Sequence, residues 1–314
     1  MLVGTEQKQQ GRMQQIQYTV TLIMNVKRRR CLIGTNKKIG RFCANDVKGY
    51  IVNEARKEWI DPVYDDLIKR VVQVYKDQLG PNLHSIYIRG SIPRGLGIVG
   101  VSDLDTLCIT NNKMDELDLT WVNKAENEIN QAFSCVNGVE LSFYHIEEIC
   151  NSSTFSIIPF MIKTHSICVY GKDAGHHLPS YRADRTLAND HIINLQQYIE
   201  SAKHDLQGNE DKEDILDCCI WIMKIIIRAG LALIMEIEKQ YTRDLYPAYK
   251  AFAKHFPDQE PNMRQALDYA INPSPDAEQL LSFLNEMGEW MVKESEKWLM
   301  IHNPDRLRKM NLNE

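Results

Sequence analysis

The residues that most restrict the fold run Ile86-Tyr-Ile-Arg-Gly-Ser-Ile-Pro-Arg-Gly-Leu-Gly-Ile-Val-Gly-Val-Ser-Asp-Leu-Asp-Thr-Leu-Cys-Ile109. A short β run ends in Gly90-Ser91, a glycine-rich link follows, and a second β run opens on Asp103 and Asp105. Side chains alternate across a strand, so carboxylates two positions apart share one face, with their Cα atoms about 6.5–7 Å apart. Like charges so placed repel unless a cation sits between them. Magnesium suits that place, because it prefers oxygen donors, keeps several waters and is commonly shared between one or two carboxylates and a substrate's phosphates. Gly90 lets a phosphate approach the backbone, and Ser91 offers a hydroxyl donor. Glu140, in Val139-Glu-Leu-Ser-Phe143, alternates with apolar neighbours and offers a third acid. The plain structural alternative is a glycine-rich turn and a water-facing edge strand. Leu104, Leu107 and Ile109 do not make the half-polar pattern it needs.

The flanking sequence predicts a small sheet and then helices. β runs over 84–89, 103–110 and 139–144 enclose a helix at 115–133, and 155–170 supplies one more helix and a short strand closed by Gly171. Upstream, Val47, Tyr50, Ile51, Ala55, Trp59 and Ile60, then Val63, Leu67, Val71, Val74 and Tyr75, recur at three- and four-residue steps. They predict one or two amphipathic helices meeting at Pro62. Beyond His176-His177 the helical stretches are 186–206, 213–240, 246–256, 263–270 and 277–300, separated by Gly208 and a series of prolines. The expected fold class is α/β (α+β): residues 1–45 as a basic extension, a small mixed-sheet domain over 46–175, and an α-helical bundle over 176–314.

The formal charge of -5 averages two unlike parts. Residues 1–45 hold nine bases and one acid, +8, and the remainder is -13. The leader reads as a transit peptide, a nucleic-acid arm or a dispensable extension. The acidic body argues against nucleic acid as a partner and favours a cationic one. Eight cysteines without a Cys-x-x-Cys pair read as reduced, buried small hydrophobes, so a cytoplasmic setting is expected. The apolar stretch 215–237 has the length of a membrane span but carries Asp217, Lys224, Arg228 and Glu236. Central charges cost about 2.5–3.5 kcal/mol each on insertion, which favours a buried bundle helix and no membrane. Lys224 and Arg228 lie four apart on one face, and two readings compete for them: a phosphate held between domains, or structural pairing with acids such as Asp217 and Glu236. Tyr241-Thr-Arg-Asp-Leu245 reads as a helix-initiating turn or a lining of the cleft. His176-His177 reads as a solvated loop and Cys218-Cys219 as core.

Gly90-Ser91, Arg94-Gly95, Ser102-Asp103-Leu104-Asp105 and the later Glu140 resemble, in order and spacing, the pattern of the polymerase-β-like nucleotidyltransferase superfamily. The added helical part resembles that of the aminoglycoside nucleotidyltransferases, the streptomycin/spectinomycin adenylyltransferase type in particular. The resemblance implies that Asp103 and Asp105 hold two Mg2+ ions, and that Glu140 is a ligand, a general base or both. It implies Gly90, Ser91 and Arg94 at the nucleotide, with Lys224 and Arg228 added as phosphate contacts from the helices. It further implies transfer of AMP from ATP, or of another nucleoside monophosphate from its triphosphate, to a hydroxyl of a small acceptor with loss of pyrophosphate. An enzyme of the same superfamily that adenylylates protein or forms a nucleotide messenger is an alternative, and a non-catalytic nucleotide-binding module is another.

Overall fold

The computed structural model describes residues 40–151 and 153–312. Four strands, β1 (Leu83–Arg89), β2 (Leu104–Thr110), β3 (Val139–His145) and β4 (Ser166–Gly171), form one mixed sheet in the order β3-β2-β1-β4. β1 runs antiparallel to both β2 and β4, whereas β2 and β3 are parallel. A parallel pair needs a crossover, and α2 (Val122–Ala132) lies in it.

Strand alternation divides the sheet's side chains between two cores. Ile86, Ile88, Leu104, Cys108, Leu141 and Phe143 pack with Leu67, Val71 and Tyr75 of α1 (Asp65–Leu79) and with Ile129 of α2. On the other face, Tyr87, Leu107 and Ile109 pack with Ile149 of α3 (Ile146–Cys150) and Ile162 of α4 (Ile157–His165). Register then fixes one row across the sheet. Arg89 pairs with Asp105 on one side and Ser166 on the other, and Asp105 pairs with Glu140. Arg89 shares parity with Tyr87, and Asp105 with Leu107, so the row projects from the α3–α4 face.

The remaining chain is helical: α5 (Arg185–Ile192), α6 (Leu195–Leu206), α7 (Lys212–Glu238), α8 (Leu245–His255), α9 (Glu260–Ile271), α10 (Ala277–Phe283) and, through a π-turn at Leu284–Gly288, α11 (Glu289–His302). α7 is the axis, packed by α5, α6, α8, α9 and α11. The Asp211 carboxylate caps its start by accepting from the amides of Glu213 and Asp214. Its span-like apolar stretch faces protein, with Ile222, Ile226, Ile227 and Leu231 buried.

Three expectations change. The helix expected over 115–133 is a 3-10 turn at Met114–Glu116 and then α2, which begins only at Val122. The first expected helix is absent: Asp46 Oδ1 accepts from the amides of Lys48 and Tyr50 at 2.8 and 2.9 Å, and Gly49 takes φ +81°. A local carboxylate thus closes a turn, bridged by Asn45 and Ile51, and Val47 stays exposed. The 186–206 stretch is two helices, parted at Ile193-Asn194. Of the basic extension, residues 1–39 lie outside the described residues. Its last residues are stitched to the helical part: the Cys43 amide donates to the Tyr241 carbonyl at 2.8 Å, and the Thr242 hydroxyl donates to the Arg41 carbonyl at 2.7 Å.

Candidate active site

Asp105 stands at the start of β2 between two cross-strand neighbours. Arg89 Nη1 is 3.4 Å from Asp105 Oδ2, and Arg89 Nη2 is 3.4 Å from both Glu140 oxygens. The Ser142 hydroxyl donates to Glu140 Oε1 at 2.7 Å, from the next position on the same face of β3. Burial first, and then the Asp105 charge, push the Glu140 pKa above the ordinary glutamate value, against a smaller pull from Arg89. A carboxylate so perturbed is a better proton acceptor than one in water.

Gly90 follows Arg89 with φ +92°, and a Cβ there would come to 3.0 Å from Asp105 Oδ2. Only glycine permits this turn against the carboxylate. Ser91 starts the short 3-10 turn Ile92–Arg94, and its carbonyl accepts from the Arg94 and Leu96 amides. Asp103 precedes β2, flanking buried Leu104 from the other side of Asp105. Its Oδ1 accepts from Asn137 Nδ2 at 3.2 Å, which ties it to the loop entering β3.

Arg94 is placed otherwise than its motif position implies. Its guanidinium is buried and forks onto Asp244, Nη1 to Oδ1 at 3.0 Å and Nη2 to Oδ2 at 2.9 Å, while Nε donates to Glu54 Oε2 at 3.2 Å. Arg41 closes the network with its amide on Asp244 Oδ2 and its Nε on Glu54 Oε1, each at 3.0 Å. Arg94 thus anchors the turn after Ser91 to the helical part, and two carboxylates already hold its donors. Cys43, Glu54 and His165 bring a thiol, a carboxylate and an imidazole within 4.8 Å of one another. Both Glu54 oxygens accept from arginine, and burial pushes the Cys43 thiol up to about 12, so this set reads as a buried buttress of the same network.

From the helical part, Arg228 of α7 comes within electrostatic reach of Arg89 and Asp105. Burial and then the nearby Arg243 pull its pKa down to about 9, and its buried Nε has no hydrogen-bond partner. Arg243 Nη1 donates to a thioether, Met161 Sδ, at 3.5 Å. Two crowded guanidinium groups, one with an open donor and the other on a thioether and the neutral Tyr241 hydroxyl, favour an anion. Lys224 lies one turn before Arg228 on the same helix, half-buried.

The structure therefore brings Gly90, Asp105 and Glu140 together, places Asp103 two residues before Asp105, hydrogen-bonded to Asn137, and has Arg228 within electrostatic reach of Asp105. Arg89 and Arg243 carry the site further than the sequence reading did. Arg89 had a legible signal, a cation in phase with Tyr87 at the end of a β run. Arg243 lay in a stretch read as turn or cleft, and only the packing of α7 against the segment before α8 decides between them.

No protein-family model and no curated protein matches the chain. Among solved structures it is similar to that of the spectinomycin adenyltransferase AAD(9) from Enterococcus faecialis with ATP and spectinomycin. The identity is 16%, the TM-score 0.39, and the match covers 71% of this chain and 98% of that one.

Proposed function

We propose that the chain is a Mg2+-dependent nucleotidyltransferase that moves AMP from ATP to a hydroxyl of a small, aminoglycoside-like acceptor and releases pyrophosphate. The observation that carries the reading is the convergence of Asp105 and Glu140 on one face of the sheet, with the Gly90 turn against Asp105 and the Arg228 charge within electrostatic reach. The donors fit Mg2+: all are carboxylate oxygens, and Asp105 and Glu140 already share one cation. Asp103, Asp105 and Glu140 would hold the metal, two ions in all, which would supply charge neutralisation at the phosphates and activation of the attacking oxygen.

The chain's own residues do the rest. The Gly90-Ser91 turn admits the triphosphate to the backbone, and Arg228 and Arg243, with Lys224 one turn away, neutralise it. Glu140 takes the proton of the acceptor hydroxyl as its oxygen bonds the α-phosphorus, and the bond from that phosphorus to pyrophosphate breaks. Arg94, through Asp244 and Glu54, keeps the turn fixed against the helical part and does not touch phosphate. The -13 balance outside the basic extension favours a cationic acceptor.

Mass spectrometry of an aminoglycoside panel incubated with the protein, ATP and Mg2+ tests the acceptor. An acceptor gaining AMP supports the reading. AMP on protein or in a nucleotide-only product would move the substrate to another class, and no adduct anywhere would remove the activity.

A further inference from the structure

Arg89 is the last residue of β1, and register, not chance, sets its guanidinium over the acids: its cross-strand partner is Asp105, whose partner in turn is Glu140. The arginine is 18% exposed and its Nη atoms reach the two carboxylates at 3.4 Å, while its buried Nε has no hydrogen-bond partner. Charge-assisted N–H···O bonds are ordinarily about 2.7–2.9 Å, so the fork is held by attraction to both acids without a short bond to either. Such a side chain keeps hydrogen-bonding capacity for a further acceptor.

A divalent cation and this guanidinium compete for the same oxygens. With Arg89 in place, Asp103, Asp105 and Glu140 present a net charge near -2 instead of -3, and two of their carboxylates are engaged, which makes a poorer lure for a bare dication. A metal–nucleotide complex differs, because its phosphates offer the guanidinium new acceptors and Arg228 and Arg243 already favour an anion across the gap. We propose that Arg89 couples the two binding events: it holds Asp105 and Glu140 until phosphate draws it away, so that metal enters as its nucleotide complex and not alone. This rests on the reading of Asp105 and Glu140 as the metal-holding acids of a nucleotidyltransferase. It adds a residue that sets the order of binding.

Mn2+ serves as a spin probe for an oxygen-lined Mg2+ site. The full chain, its Arg89→Met variant, which keeps the apolar stem, and its Arg89→Lys variant, which keeps the charge, are titrated with Mn2+ alone and with a Mn2+ complex of a non-reacting ATP analogue. Arg89→Met is expected to bind free Mn2+ at least tenfold tighter than the wild type, and the complex at least tenfold more weakly. Arg89→Lys is expected to retain the wild-type exclusion of free Mn2+. Opposite shifts in one variant cannot come from misfolding, which weakens both. Free Mn2+ bound no tighter by Arg89→Met, or both affinities falling together, overturns the inference. If the opposite shifts occur while the wild type transfers nucleotide to no acceptor, the competition at Arg89 stands and the transferase reading falls. If transfer occurs and the free-metal affinity does not move, the inference falls alone.

Discussion

At Asp105 and Glu140, two carboxylates and one guanidinium occupy neighbouring positions on three strands, and their chemistry is separable by substitution. Glu140→Gln keeps shape and the Ser142 contact but removes the proposed proton acceptor. It is expected to slow transfer about 10²- to 10⁴-fold with a smaller loss of nucleotide affinity from the weakened metal site, read from kcat against KM. Equal losses in kcat and affinity would instead make Glu140 a ligand first. Arg94 belongs to stability. Arg94→Met removes the buried fork between Glu54 and Asp244 and leaves Arg41, half-exposed, as their remaining cationic neighbour, and urea unfolding should show a loss of about 3–5 kcal/mol. A loss under about 1 kcal/mol, typical of an exposed pair, would contradict the buried network. The contrast shows what one chain reveals about a residue. Gly90, Asp105 and Glu140 were legible because strand period and a glycine turn fix their direction. The place of Arg94 depends on Asp244, 150 positions away, and no local pattern encodes that contact.

Among elements, legibility followed the same division. β1 to β4, α4, α7, α8 and α9 formed close to where alternation, period and proline placed them, because each buries a face set by its own spacing. The expected helix before Pro62 failed because Asp46 and Gly49 give the backbone a turn with local hydrogen bonds, which periodicity does not weigh. The packing of α7 is also open to test. A Cβ on Gly230 would come to 2.6 Å from Met263 Cε and 3.0 Å from Phe252 Cδ2, side chains of α9 and α8. Alanine normally favours a helix by about 1 kcal/mol over glycine. Here Gly230→Ala is expected to destabilise by about 1–3 kcal/mol through overpacking, measured by thermal or urea unfolding. A stabilised variant would show that the Met263 methyl and the Phe252 ring give way and that alanine's helix preference prevails.

Across the whole molecule, the seam between the sheet part and the bundle stores buried and half-buried titratable groups around the cations. Burial, then Arg243 and Arg228, pull His191 down to about 3, and burial together with nearby arginines pulls His165 well below the ordinary value. An unfolded histidine takes its proton near 6.5, whereas the folded His191 refuses one until about 3. Its contribution to stability is therefore complete above 6.5 and is lost as pH falls through that window. Between about pH 7 and pH 5 this amounts to about 2 kcal/mol for His191, and His165 acts in the same direction. Asp190, raised to about 6 by burial, opposes them, since its folded form holds a proton that the unfolded form releases; the offset over the same interval is about 1 kcal/mol. Urea unfolding at the two pH values should show a net loss on acidification, and His191→Asn should flatten it. An unchanged pH dependence in that variant would mean that His191 is not held neutral.

The central claim is that Asp103, Asp105 and Glu140 form a site for attack on the α-phosphorus of a nucleotide. Its most direct test incubates the full chain with Mg2+, an acceptor mixture and ATP labelled at either the α- or the γ-phosphate, beside the Asp103→Asn/Asp105→Asn double variant. The account predicts that α-label moves to an acceptor, that γ-label leaves as pyrophosphate, and that the double variant does neither. Transfer of the γ-label to acceptor, or α-label transfer that survives in the double variant, would contradict it.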